Sequence, residues 1–266
     1  MLDSTQLFKQ QQAPELRERL ARDGYLLLRQ VLNPADVLQA RAFLLRELCK
    51  AKPACFENTE GKLVHGTRNV GLLHRQDLGK GPLVRKVLES PKLFALMALL
   101  YNCQATQIVT TGYKWLRAVA QGEFTGVHSD NVFVGGSPDL LTLWLPLGRV
   151  EVEQGALLIC SGSHRSRAFA PVRETYGASQ VGENGRESGW LTDNGADVAT
   201  HVGRYGVTWA TTNFQPGDVV VLRRDVLHMS ATNKWADVRI SCDTRWQPAD
   251  DTRDSRLNEW RCCPEA

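Results

Sequence analysis

Long apolar runs are missing from this chain: no stretch approaches the roughly 20 apolar residues that a bilayer-spanning helix requires. The start, Met1-Leu2-Asp3-Ser4-Thr5-Gln6, lacks the basic-then-apolar order of a secretory signal. At the other end, Cys263-Pro264-Glu265-Ala266 places Pro and Glu where a prenylation box needs aliphatic residues. The expectation is a cytoplasmic protein with no membrane partner. Charge of one sign is also missing: 32 Lys and Arg face 29 Asp and Glu for a net charge of +3, spread along the chain. Without a basic stripe, nucleic acid is not an expected partner. Paired cysteines are absent too, since the seven cysteines form no Cys-x-x-Cys, which argues for free thiols over a zinc ribbon or disulfide framework. Finally, no Pro/Gly/Ser-rich linker or charge block divides the chain, so residues 1–266 are expected to form a single domain, with 42% hydrophobic residues to build its core. Nothing marks an oligomer interface.

What is present begins with helix signals. Leu16 and Leu20 at helical spacing, closed by Gly24, predict a helix over 14–23. Tyr25-Leu26-Leu27-Leu28 then fits a buried strand. Asn33-Pro34 and Ser90-Pro91 each pair a side-chain cap with a proline suited to the first helical position, opening apolar stripes to about Lys50 and Leu100. Residues 51–81, glycine-rich and weakly periodic, predict loop. The front part, 1–103, is therefore mainly helical. From 104 to 247 the texture changes to short β-rich runs at 107–119, 127–134, 140–147, 156–160, 219–222 and 238–246, separated by turn residues. The fold class is α+β, a double-sheet antiparallel barrel packed by the N-terminal helices. A long polar insert, 161–215, interrupts the barrel, and 248–266 reads as a mobile tail carrying Cys262 and Cys263.

The chemistry centres on His128-Ser129-Asp130. On an extended strand, positions two apart share a face, so His128 and Asp130 can reach one point while Ser129 turns away. A third group, His228, can come from the run that follows Pro216-Gly217-Asp218. Two imidazoles and one carboxylate on one side of a metal, with other positions open, is the arrangement of non-haem Fe(II) oxygenases. Alternation along 238–246 also puts Arg239, Ser241, Asp243 and Arg245 on one face. His65, His74 and His201 have no partner spacing and are read as non-ligands, and His164, in Ser161-Gly162-Ser163-His164, as structural.

With Leu143-Trp144-Leu145-Pro146-Leu147, Gly155-Ala156-Leu157, His228-Met229-Ser230 and Arg239-Ile240-Ser241 added, the order of motifs over roughly residues 20 to 247 resembles the phytanoyl-CoA dioxygenase family. The resemblance implies a jelly-roll (double-stranded β-helix, cupin-like) barrel and an Fe(II)- and 2-oxoglutarate-dependent dioxygenase that uses O2 and releases succinate and CO2. It implies His128, Asp130 and His228 as the catalytic iron ligands. Arg239, eleven positions after His228, becomes the anchor for the far carboxylate of 2-oxoglutarate, a planar fork suited to that group. Ser230 becomes a hydroxyl that helps hold the same carboxylate, and Trp144 an aromatic flanking the site. Lys114, on the strand leading toward His128, is a further candidate for cosubstrate contact. The carboxylate at Asp130 favours hydroxylation or a related oxidation over halogenation, which in the family goes with a small residue there.

The substrate is expected to be a small organic molecule, with an anionic one preferred on account of Arg245 and the arginines of the insert. Trp190 and Arg204, within that insert, are the candidates for contacting it, the insert being expected to fold over the barrel mouth as a lid. Two other classes stay open: a cupin-like metal-dependent isomerase or hydrolase that does not use 2-oxoglutarate, and a catalytically silent barrel acting as a binding module.

Overall fold

The computed structural model describes residues 1–183, 185–202 and 207–264. It opens with helices α1 (Thr5–Lys9) and α2 (Ala13–Asp23), strand β1 (Tyr25–Leu28) and helix α3 (Pro34–Ala51). Helix α2 ends where Gly24 takes a φ of 80°, a left-handed conformation. A Cβ at Gly24 would sit 2.7 Å from His164 Nδ1, and His164 bonds through Nε2 to the Ala21 carbonyl at 3.0 Å, so His164 is a packing residue of this corner. Asn33 caps α3 as expected, its Oδ1 accepting from the Ala35 N–H at 2.9 Å. Helices α4 (Gln76–Gly79), α5 (Pro82–Leu88) and α6 (Pro91–Tyr101) complete the front part. Ser90 precedes α6 in the expected place, but its side chain makes no capping bond.

Then come β2 (Ile108–Thr111), β3 (Trp115–Val119), β4 (Leu141–Pro146), β5 (Leu157–Cys160), α7 (Ala170–Thr175), α8 (Val198–His201), β6 (Trp209–Ala210), β7 (Val219–Arg223), β8 (His228–Ser230), β9 (Arg239–Pro248) and β10 (Trp260–Cys262). One sheet runs β1-β7-β4-β9-β2-β10, with β3 also along β9; a second runs β6-β5-β8. All strand pairs are antiparallel.

Three departures from the sequence expectation matter for the site. The run 107–119 is two strands, because the chain bends at Gly112–Lys114 between β2 and β3. The run 127–134 is not one strand: after His128 and an extended Ser129, residues Asp130–Val132 form a 3-10 turn, with the Phe133 and Val134 N–H groups both donating to the Asp130 carbonyl at 2.9 Å. The tail is tied down, since β10 pairs with β2 at the sheet edge.

Register then sorts the large sheet into two faces, since residues paired across strands point the same way. On one face Ile240, Cys242 and Trp246 of β9 join Leu116, Leu143, Val221 and the helices in the main core, where Trp246 meets Phe94 edge-on at 4.8 Å. On the other, Trp144, Val220 and Leu222 pack against Leu157 and Ile159 of the small sheet. A third cluster lies under the insert, joining Phe169, Val172 and Val198 to Val127, Cys160 and Leu227. The insert is thus folded over its described residues, on apolar positions too irregularly spaced to announce an element.

Candidate metal centre

The two histidines are brought together by the backbone. His128 and His228 form an antiparallel bridge, the N–H of each donating to the carbonyl of the other at 2.9 and 2.8 Å, which sets their rings 4.1 Å apart. Each ring also places Nδ1 against a carbonyl, Gly126 O at 2.8 Å for His128 and Val226 O at 3.1 Å for His228. A carbonyl can only accept, so Nδ1 carries the proton and Nε2 keeps its lone pair for a metal.

The start of the 3-10 turn turns Asp130 back toward this pair, its Oδ1 4.0 Å from His228 Nε2. Potential ligand atoms of His128, Asp130 and His228 all lie within 4.8 Å of one another, and all three residues are buried. Among the described residues this is the one such cluster, and His65, His74 and His201 take no part in it. Burial, reinforced by the neighbouring His228, pushes the His128 imidazole well below its ordinary pKa, so it is neutral and able to ligate. Burial acts to raise the Asp130 carboxyl, but the Arg245 guanidinium and the two imidazoles outweigh it and hold the carboxyl well below the usual range.

Asp130 is gripped from both sides. Arg245 Nη2 donates to Oδ1 at 2.8 Å and the Thr142 hydroxyl to Oδ2. Arg245 lies over the Trp115 ring, 4.5 Å from its centroid, a stacking suited to a guanidinium. Its Nη2 thus serves the carboxylate at the metal position, while its Nε and Nη1 meet no partner among the described residues. Thr142 and Trp115 were invisible to sequence reasoning, because only the pairing of β4 and β3 with β9 shows that they share the face of Arg245.

Further along that face Arg239 is 2% exposed. Its Nη1 donates to the Ser241 hydroxyl, while its Nε has no partner among the described residues. Burial, with the nearby Arg117 adding repulsion, lowers this guanidinium to about 10. A Cβ built on Gly155 would lie 3.6 Å from Arg239 Nε and 3.2 Å from the Ala231 carbonyl, so Arg239 sits beside the residue that follows Ser230. Ser230 Oγ accepts from the Thr125 N–H at 2.8 Å, leaving its own O–H to donate. Trp144 shares the face and packs on Phe214 at 4.8 Å, in the core between the sheets.

Lys114 requires a correction. It falls in phase with Ile108 and Leu116 on the helix side of the sheet, where Nζ bonds to the Thr111 carbonyl at 2.7 Å and pairs with Glu89 at 3.2 Å. It is structural, not a cosubstrate contact. Lys114→Met is expected to destabilise the protein by about 3 kcal/mol, as removal of one partner from a buried ion pair does, with Arg85 still on Glu89. Affinities for metal and 2-oxoglutarate should be unchanged; a cosubstrate affinity lowered in step with stability would restore Lys114 to the site.

The insert reaches this centre through backbone bonds. Val127 N–H donates to Thr192 O at 2.8 Å and Leu191 N–H to Val127 O at 2.7 Å. The Tyr176 hydroxyl accepts from Ser129 N–H at 3.2 Å and donates to Gly189 O at 2.6 Å. Trp190 lies across Gly126, whose added Cβ would fall 2.5 Å from the indole. Arg204 lies outside the described residues.

Known proteins resemble this chain. The chain is 29% identical over 140 residues to 1-deoxypentalenic acid 11-beta-hydroxylase of Streptomyces arenae, a match covering 51% of this chain and 46% of that protein. The chain therefore spans about half the length of the curated relatives it matches. Among solved structures, the epimerase SnoN in complex with Fe3+, alpha ketoglutarate and nogalamycin RO superposes with a TM-score of 0.62 at 19% identity, over 91% of this chain and 86% of SnoN. AviO1 from Streptomyces viridochromogenes Tue57 does so with 0.60 at 21% identity, over 91% and 97%. These likenesses establish the shared fold. The profile of one family, described as phytanoyl-CoA dioxygenase (PhyH), matches residues 20–241, from helix α2 through Arg239 on β9, and the chain belongs to that family.

Proposed function

We propose that this chain is a non-haem Fe(II)- and 2-oxoglutarate-dependent dioxygenase that hydroxylates, or otherwise oxidises, an unactivated C–H bond of a small organic molecule. One observation carries the reading: a buried cluster of two imidazoles and a carboxylate shares its cavity face with a buried guanidinium that has an unsatisfied N–H. The donor set suits iron and leaves one side of the metal open. The orphaned Nε of Arg239 suits an incoming carboxylate. We read the two facing antiparallel sheets as a jelly-roll barrel, residues 1–266 as one domain, and the insert as the cover of its mouth.

Iron and 2-oxoglutarate, when bound, supply the oxidising chemistry that turns 2-oxoglutarate and O2 into succinate, CO2 and an oxidised product. The protein's part is positioning. His128 and His228 offer Nε2 and Asp130 a carboxylate oxygen, each fixed by a bond to its other atom. Arg239 holds the far carboxylate, the Ser230 O–H donates to it, and Trp144 walls the cavity. Burial of all three ligands keeps bulk water from the centre. No side chain need act as a general base.

The test is anaerobic titration of the metal-free protein with Fe(II) and then 2-oxoglutarate, followed in the visible range. The expected result is a weak charge-transfer band of the chelated keto acid, lost in Asp130→Ala. Fe(II) uptake with no band would overturn the assignment in favour of a metal-dependent isomerase or hydrolase; no metal uptake would leave a binding module.

A further inference from the structure

A cleft of about 420 Å3 opens beside the metal centre. Its walls are Leu73 and His74 from the turn before α4, Phe124 and Thr125 from the loop leading to His128, and Trp190 from the insert; Arg117 of β3 lies at its inner end. Thr125 bonds directly to Ser230, and Arg117 pairs in register with Ser241, so this end adjoins the Arg239 region. The outer part is aromatic. Trp190 is 41% exposed and lies 5.8 Å from Phe124, rings tilted by 32°, leaving apolar surface bare at a place where a ligand's ring would cover it.

The polar groups are unequally spent. Glu123, the one carboxylate in the walls, accepts from two backbone N–H groups, of Asn69 at 2.7 Å and Ala120 at 2.9 Å. Arg117 makes a single long contact, Nε to Asp243 at 3.4 Å, and its terminal nitrogens meet no acceptor among the described residues. The Arg117 guanidinium thus lines a cleft whose acid is already occupied.

We infer that this cleft is the substrate site and that it takes a carboxylic acid with an apolar ring system, the rings against Trp190 and Phe124 and the carboxylate on the Arg117 fork. A planar guanidinium with both terminal nitrogens available binds a carboxylate bidentately, which sets the orientation of the body as well as its affinity. The volume admits a bicyclic or tricyclic acid. The substrate role rests on the dioxygenase reading above; the binding itself does not.

Binding of decalin-2-carboxylic acid and of its primary amide is to be measured calorimetrically on metal-free protein, with and without saturating 2-oxoglutarate. The acid should bind about tenfold or more tightly than the amide, and Arg117→Gln should bring it to the level of the amide. Arg117→Lys should restore part of the difference, and Trp190→Ala should weaken acid and amide alike. Affinity for 2-oxoglutarate in Fe(II)-loaded Arg117→Gln should match the wild type. Equal binding of acid and amide, no binding of either, or acid binding lost in Arg239→Ala but kept in Arg117→Gln would overturn the assignment. So would a 2-oxoglutarate affinity that falls with Arg117. Failure of the dioxygenase reading shows separately, as a missing charge-transfer band in wild-type protein.

Discussion

Arg239→Met should melt above the wild type in metal-free, cosubstrate-free protein, while its affinity for 2-oxoglutarate falls about a hundredfold or more. The two effects come from the same fact. Arg239 is 2% exposed, its Nε is unsatisfied, and no carboxylate lies within ion-pair distance among the described residues. An unpaired buried charge is a cost to the folded state, and an apolar side chain of similar reach relieves it by about 1–3 kcal/mol. For a protein of this size that is several degrees in Tm. Once a carboxylate arrives the balance reverses: truncating one member of a buried, hydrogen-bonded charge pair costs about 2–5 kcal/mol of binding. Thermal melts of the metal-free protein and anaerobic cosubstrate titrations of the Fe(II)-loaded protein read the two halves separately. A variant that melts lower and binds 2-oxoglutarate normally would make Arg239 a structural residue and remove the anchor from the proposal.

The part of the site visible in the sequence is the part set by local alternation. Arg239, Ser241, Asp243 and Arg245 do share a face, because β9 is regular from Arg239 to Pro248. The same rule argues against Lys114: β2 and β3 keep one phase on β9 across the bend, Thr110 opposite Trp246 and Leu116 opposite Cys242, so Lys114, two residues before Leu116, falls on the core face. His128 and Asp130 converge, although the strand assumed to carry both stops at Ser129 and a 3-10 turn supplies the direction of Asp130. The helices opened by Asn33-Pro34 and Ser90-Pro91 are local events and were legible. The pairing of β10 with β2 and the packing of the insert on Val127 and Leu227 are not, since each depends on residues far apart in the chain. The reciprocal bonds between His128 and His228 belong with these. Sequence order suggests that the two meet; only the bridge shows that the backbone, not the metal, brings them together.

Arg245 lies on the same strand face as Arg239, and Arg245→Met should do the opposite in the metal-free protein. Its Nη2 bonds to Asp130 at 2.8 Å with both side chains buried, and it rests on Trp115. Removing it leaves a buried carboxylate with only the Thr142 hydroxyl as a donor. Breaking a buried pair from one side costs about 3–5 kcal/mol, so the variant should melt well below wild type. The metal centre should suffer as well. With Arg245 gone, the carboxylate is free to rotate away from the two imidazoles, and loss of a partner that orients a metal ligand lowers metal affinity about 10–100-fold. Cosubstrate affinity at saturating Fe(II) should stay near the wild-type value, which separates a positioning role from a cosubstrate contact. The double variant Asp130→Asn, Arg245→Met should recover much of the lost stability, because neither charge is then left alone, yet it should take up no iron. Anaerobic Fe(II) titration and thermal melts of the four proteins close the cycle. A folded Arg245→Met protein that binds Fe(II) as tightly as wild type would show that Thr142 and the 3-10 turn suffice to aim Asp130, and that the guanidinium serves the fold alone.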